Sequence, residues 1–398
     1  MQMQRRSRIM RWIAGIAVAL MSVGMTWYFL TRPAKTPSSG TNSATQTSVS
    51  PSSPSQKIRI AAMGDMLAHD SVVSQAKIAS GYNFTPYFSR IRPVYTQADV
   101  VFCNTETLSS GTAFGISGYP SFNAPTEFAD GLTKGAGCNV INLATNHIAD
   151  KGQLAINATL DNWQSQHVLA YSGANRSSAE QNTVRYFTKN GLKVAFIAFA
   201  DFSNVTVPAS YSLNNYHDTA LVKKLLTEAR ANADVVIVST HWGTEDSNIV
   251  NTDQQQAAKQ FAELGADVVI GTGPHVVQRV SWLDRPSGGK TLVWYSIGNM
   301  LSSQLKTDEL TGGVAGFTVT KQNGVVSITD MSFVGTFMSY EWSAADQAAS
   351  NLAARHNLLL QPLAEANDAT AAFGTTVAER SAYLHRVLGN EVQLAVTP

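Results

Sequence analysis

Acidic, amide and imidazole side chains recur just beyond five short apolar runs of this sequence. Asp65 follows Ile58–Met63, with His69 close behind. Asn104 and Glu106 follow Val100–Cys103, and Asn146-His147 follow Val140–Ala144. His241 follows Val235–Ser239, and His275 follows Val268–Ile270 through Gly271-Thr272-Gly273-Pro274. Carboxylate, amide oxygen and imidazole are the donors that suit Mn, Fe, Zn or Mg-like divalent ions, and no thiolate belongs to the set. One carboxylate can bridge two such cations, a geometry that grips a phosphoryl group and activates water, and a nearby histidine can give a proton to the leaving oxygen. Taken singly, each residue has a plainer reading. Asp65 fits a helix cap or turn, His69 an ordinary histidine, Glu106 a solvated loop acid, Asn146-His147 a turn, and His241 an imidazole packed beneath Trp242. Their shared position decides between these readings.

That position depends on the elements carrying them. The five runs are short and apolar, and Asp234–Ser239 and Asp267–Ile270 are rich in β-branched residues, as in strands buried on both faces. Between them, Gly152–His167, Thr219–Ala231 and Thr252–Leu264 place apolar residues at helical spacing, the last opening on a Thr252 cap. Alternation of this kind predicts a largely parallel α/β sheet, whose functional crevice lies beyond the carboxyl ends of the strands. Side chains spread over about 210 residues of chain then converge. Val184–Ala200, centred on Asn190-Gly191, predicts an antiparallel hairpin, and Val276–Asp330 holds further β runs. Residues 339–398 are Ala-rich and read as a helical extension beyond a main domain over 57–338.

Of the 398 residues, 44% are hydrophobic and 14% charged, with a formal net charge of +1. The core is ample, and no basic face argues for nucleic acid. The two cysteines, Cys103 and Cys138, lie in apolar runs and read as buried small hydrophobes rather than a bridge or reactive thiols. Residues 1–32 hold Arg5, Arg6, Arg8 and Arg11, then the uncharged run Ile13–Leu30 with Trp27 and Tyr28 near its outer end. This predicts one transmembrane helix, uncleaved, with a cytoplasmic N-terminus and an extracellular main domain on the cell membrane. Residues 33–56 are Ser, Thr and Pro-rich and read as a disordered linker.

From about residue 57 to 305, an ordered series of motifs resembles the poly-γ-glutamate capsule-synthesis (CapA-type) family. These are Met63-Gly64-Asp65-Met66-Leu67, Asn104-Thr105-Glu106-Thr107, Gly118-Tyr119-Pro120-Ser121-Phe122-Asn123, and Asn142 through His147 with Asp150-Lys151-Gly152. His241-Trp242-Gly243-Thr244-Glu245, Pro274-His275-Val276-Val277-Gln278 and Tyr295-Ser296-Ile297-Gly298-Asn299 complete it. The resemblance implies a calcineurin-like metallophosphoesterase fold, a four-layer αββα sandwich. It implies one or two divalent cations, with Asp65 and His275 on one, Glu106 bridging, and Asn146 and His241 on the second. His147 becomes the acid near the leaving group, and His69 takes the place of the histidine following the first aspartate. The family's His-Pro-His unit is here Gly273-Pro274-His275, so one second-metal imidazole is missing. The implied role is capsule synthesis or export, beside membrane synthase proteins and an anionic polymer. The rival roles are an active metal-dependent hydrolase of an envelope substrate and a non-catalytic assembly scaffold.

Overall fold

The computed structural model describes residues 56–391 and 394–397. The expected membrane span and nearly all of the expected linker lie outside the described residues. No helix among the described residues is long and apolar enough to cross a membrane.

Two mixed sheets form the body. The first runs His356–Pro362, Val325–Glu341, Thr311–Gln322, Gln56–Met66, Val100–Thr105, Val140–Asn142, Ala170–Ser172. Its last four strands are mutually parallel, and the first three are antiparallel additions. The second runs Val280–Asp284, Lys290–Trp294, Val268–Thr272, Val235–His241, Leu192–Ala200, Arg185–Lys189. Its inner four strands are parallel and its outer pairs are antiparallel hairpins, including the expected turn at Asn190-Gly191.

Strand periodicity sorts the core into layers. In Leu192–Ala200, Val194, Phe196 and Ala198 join the core shared with the first sheet, while Ala195, Ile197 and Phe199 join a separate core. Successive side chains of a strand face opposite ways, so this sheet is buried on both faces. Across the shared core, Phe102 meets Phe196 at 6.1 Å between ring centroids, and Trp294 meets Phe333 at 6.2 Å. The outer core contains Leu225, Leu226 and Ala229 of helix Thr219–Asn232 and Ala258 and Phe261 of helix Thr252–Glu263. Helix Gly152–Ser165 makes the crossover between the parallel neighbours Val140–Asn142 and Ala170–Ser172, burying Ile156, Leu160 and Trp163. The body is thus a mixed α/β fold in which two sheets share one core and helices Thr219–Asn232 and Thr252–Glu263 cover the other face of the second sheet.

Three expectations change. Helix Thr252–Glu263 is capped by Asn251, not Thr252, through a reciprocal box with Gln254. Residues 339–398 hold the helices Ala344–Ala348, Asn367–Ala372 and Val377–Leu388, as expected, but not helix alone: the strand Val325–Glu341 runs through the expected boundary, and His356–Pro362 pairs with it antiparallel. Leu358 and Leu360 alternate into the core, a two-residue period hidden among alanine-rich surroundings. Cys103 and Cys138 are buried, as expected, but are joined in a disulfide. They lie on neighbouring segments, where Asn139 N donates to Val101 O at 2.9 Å, a proximity that 35 residues of separation conceal.

Candidate metal centre

The carboxyl ends of Gln56–Met66, Val100–Thr105, Val235–His241 and Val268–Thr272 meet at one place. A shift in strand register between Met63 and Asp65 re-aims the first strand as it arrives. Gly64 lies against the Gly298 carbonyl with no room for a side chain, and Asp65 N donates to that carbonyl at 3.1 Å. The Asp65 carboxylate is fully buried and accepts from Asn104 Nδ2 at 2.6 Å. Asn104 Oδ1 in turn accepts from Asn142 Nδ2 at 2.6 Å, so an amide relay across three adjacent parallel strands orients Asp65.

Asp65, Glu106 and His275 each offer a ligand atom within 4.8 Å of the others. His275 Nδ1 lies 3.1 Å from Asp65 Oδ2, 3.8 Å from Glu106 Oε2 and 3.1 Å from Asn299 Oδ1. His275 has φ +63°, a left-handed conformation that side chains other than glycine's rarely take and that costs about 1–2 kcal/mol. Such strain at a candidate ligand position is the pattern of a functional site. His241 stands outside that trio but against it, with Nε2 at 3.5 Å from Glu106 Oε1 and Nδ1 at 4.0 Å from Asp65 Oδ1.

The buried oxygens of the centre fit a cation. Both Glu106 carboxylate oxygens and Asn146 Oδ1 are buried without a hydrogen-bond donor. Each such acceptor costs about 1–3 kcal/mol unless satisfied, and more when charged. A divalent ion held by oxygen and imidazole donors satisfies them. A second group, Asp201, His217 and Asp253, is self-satisfied: His217 Nε2 lies 2.7 Å from Asp201 Oδ1, and the Tyr216 hydroxyl donates to Asp253.

Charge within the centre is shared between protons and carboxylates. Burial works to raise the Glu106 pKa, yet His275 and then His241 outweigh it and hold the carboxyl well below its ordinary range. Burial works to lower His275, but Glu106 and Asp65 raise it to about 10, and the same two acids raise His241. His69 is placed differently. It is not in the trio; its Nδ1 accepts from Ser303 N at 3.4 Å, and its ring meets Phe122 edge-on. Burial, with the nearby positive charge of Arg355 second, lowers its pKa to about 3, so it is neutral at pH 7.

His147 packs on the Phe122 ring at 4.7 Å between centroids, the same ring that His69 meets. Its Nδ1 is 2.7 Å from Asp150 Oδ2, which also accepts from Phe122 N at 2.7 Å. Its Nε2 faces Asn204 Nδ2 at 3.3 Å. Asn146 Nδ2 donates to Asn204 Oδ1 at 3.5 Å. Gly273 has φ +106°, and a Cβ there would lie 2.8 Å from Trp242 O. A histidine in its place is therefore strained, and the glycine contributes its amide instead. Asn104 is among the strand-end residues but without an expected ligand role, and the structure makes it a support of Asp65. Asn142 and Asn204 were not among the expected site residues; Asn142 is a buried amide in an apolar strand, a detectable signal, and Asn204 sits in a loop without one.

Residues 59–304 match the family model "Bacterial capsule synthesis protein PGA_cap". The chain is 32% identical over 177 residues to the "Capsule biosynthesis protein CapA" of Bacillus anthracis, covering 43% of this chain and 42% of that one. It is 29% identical over 167 residues to the "PGA biosynthesis protein CapA" of Bacillus subtilis (strain 168), covering 42% and 43%. Each match thus spans less than half the length of the curated relative. Among solved structures, the 5'-nucleotidase from Candida albicans SC5314 is similar with a TM-score of 0.36 and 12% identity, over 65% of this chain and 47% of that one. With the family match extending over more than half its length and enclosing every strand end that carries a candidate ligand, the chain belongs to the bacterial capsule synthesis protein family.

Proposed function

We propose that the chain is a membrane-anchored, extracytoplasmic component of poly-γ-glutamate capsule synthesis or export, acting beside membrane synthase proteins through a metallophosphoesterase-like centre. The observation that carries the metal reading is the fully buried Glu106 carboxylate, without a donor to either oxygen, beside Asp65 and His275. Asp65, Glu106 and His275 would hold one divalent cation; Asn146 and His241, with Glu106, offer donors for a second. The cation supplies Lewis acidity and an activated water. The polymer is suggested by the B. subtilis relative's name. The basic cluster and apolar run at the N-terminus support the anchor. The Cys103–Cys138 disulfide supports an oxidising compartment outside the cytoplasm.

The chain's own groups define what chemistry the centre can support. Asp150 fixes the proton of His147 on Nδ1, leaving Nε2 as the atom that exchanges a proton with a leaving oxygen. Asn204 Nδ2 holds that nitrogen in place. The Asn142–Asn104–Asp65 relay keeps the first carboxylate aimed at the cation. The His147–Asp150 pair favours an active hydrolase. Gly273, with no side chain where the family has an imidazole, favours a scaffold with one cation as the second reading.

The test is to purify the full chain, quantify co-purifying divalent metal, and compare Glu106→Gln. The same substitution in the producing cell is scored for surface polymer. Metal in the wild type that is lost in the variant, together with loss of polymer, is the expected result. Wild-type protein without metal above background sinks the metal centre, and polymer unaffected by deletion of the whole chain sinks the capsule role.

A further inference from the structure

Thr272 and His241 end neighbouring parallel strands and stand opposite each other in the register of Val268–Thr272 with Val235–His241. Thr272 is fully buried and His241 nearly so. Their side chains meet, with His241 Nδ1 3.2 Å from Thr272 Oγ1. The other hydrogen-bond neighbour of that nitrogen among the described residues is Asn104 Nδ2, at 3.3 Å. A carboxylate oxygen, Asp65 Oδ1, stands off at 4.0 Å, beyond hydrogen-bond reach.

These two neighbours pull the imidazole proton in opposite directions. Asn104 Nδ2 can only donate, because the Asn104 amide is oriented by its other bonds: Nδ2 gives a hydrogen to Asp65 Oδ1, and Oδ1 accepts from Asn142 Nδ2. Thr272 Oγ1 can accept, because its own hydrogen goes to Thr240 O at 3.4 Å. A proton on His241 Nδ1 therefore has one acceptor, the Thr272 hydroxyl. With the proton there, Nε2 is bare and lies 3.5 Å from Glu106 Oε1, a carboxylate oxygen that is buried without a donor. Two lone pairs then face each other across a gap that suits a cation. The opposite tautomer puts the proton on Nε2 and closes that nitrogen to a metal. With Gly273 in place of an imidazole, His241 is the one histidine assigned to the second cation, so its tautomer carries more of that site.

We infer that Thr272 is a positioning residue of the centre, whose hydroxyl takes the Nδ1 proton of His241 and keeps Nε2 bare, beside Glu106, for a divalent cation. The inference rests on the proposed metal centre. It assigns to a hydroxyl the part that a carboxylate, backbone carbonyl or water plays behind most metal-binding histidines. Without Thr272, the remaining partner of Nδ1 is a donor, and the imidazole turns to the tautomer that excludes metal.

The experiment titrates the full chain, stripped by chelator, with Mn, and reads Tm on the same metal-free samples. Wild type, Thr272→Val and Thr272→Ser are compared, and Thr272→Val is also made in a His241→Ala background. Valine keeps the branched shape of the strand residue and removes the hydroxyl; serine keeps the hydroxyl. Thr272→Val should weaken the Mn affinity that depends on His241 by about tenfold or more. Thr272→Ser should stay near wild type. In the His241→Ala background Thr272→Val should cost nothing further, because the hydroxyl acts through the imidazole. A lower Tm with unchanged Mn affinity in Thr272→Val makes the residue a strand filler and overturns the inference. Equal losses of affinity in both backgrounds, or Mn binding indifferent to His241→Ala, also overturn it. Should Thr272→Val fail to fold, Thr272→Ala decides: wild-type Mn affinity overturns it. Wild type that binds no Mn sinks the metal centre and this role together, whereas wild type that binds Mn beside an unaffected Thr272→Val sinks the positioning role alone.

Discussion

Gly273 gives its amide N–H to both oxygens of Asp65, at 3.3 Å to each. It does so with φ +106° and with Trp242 O 2.8 Å from where a Cβ would sit. The family's usual imidazole is thus replaced by a backbone contact to another ligand, in a conformation suited to glycine. Gly273→His is expected to destabilise the chain by roughly 1–3 kcal/mol and to add no bound metal. Gly273→Ala should show much of the same loss, since the strain belongs to the backbone and the first side-chain atom. Chemical denaturation with metal analysis checks both; a second equivalent of metal in Gly273→His would show that the backbone yields.

A proton on His275 would compete with a bound cation. Its pKa is raised from 6.5 to about 10, so the metal-free fold holds a proton between those values that the unfolded chain releases. That contribution to stability is fully present below pH 6.5 and is lost as pH rises through about 10. Metal-free protein should therefore lose Tm from this group as pH rises from 7 to 10. Metal affinity should run the other way, gaining up to about tenfold per pH unit for one displaced proton. Calorimetry in buffers of different ionisation enthalpy measures the released proton, and scans with chelator against saturating Mn measure the opposed trends. The same slope in His275→Asn as in wild type would assign the proton elsewhere.

The candidate ligands and the residues around them were legible in the sequence to different degrees. Asp65, Glu106 and His275 stand just past apolar strands, and topology alone predicts that such ends converge. Asn104 was legible at its strand end, but its link to Asn142 was not, because only register reveals that their amides meet. His69 keeps the expected neighbourhood but points to Ser303 N, a side-chain direction that spacing does not encode. The Cys103–Cys138 pair and the His356–Pro362 strand depend on which segments become neighbours, and local composition carries little of that information.

Asp150 should matter more than its distance from the metal ligands implies. Its Oδ2 receives both His147 Nδ1 and Phe122 N at 2.7 Å, and the Phe122 ring meets His147 at 4.7 Å. Asp150→Asn frees the His147 tautomer while leaving Asp65, Glu106 and His275 intact. If the centre hydrolyses an aryl phosphate with Mn, kcat should fall by about 100-fold or more, with KM and metal content little changed. An equal fall in metal content would make Asp150 a support of the centre rather than of the proton step.

The disulfide should link compartment, stability and site. Cys103 immediately precedes Asn104, and its partner Cys138 precedes the strand that carries Asn142. Closing a loop of 35 residues constrains the unfolded chain by roughly 4 kcal/mol in the chain-entropy account. Reduction should therefore lower Tm, and because the bond joins the two segments that hold the Asn142–Asn104–Asp65 relay, it should also weaken metal retention. Cys103→Ser combined with Cys138→Ser should start from the lower Tm and show no response to reductant. Thiol titration of protein recovered from outside the cytoplasm should find no free cysteine. Two free thiols there, with a Tm indifferent to reductant, would remove the disulfide from the folded protein and with it the support it lends to an exported domain.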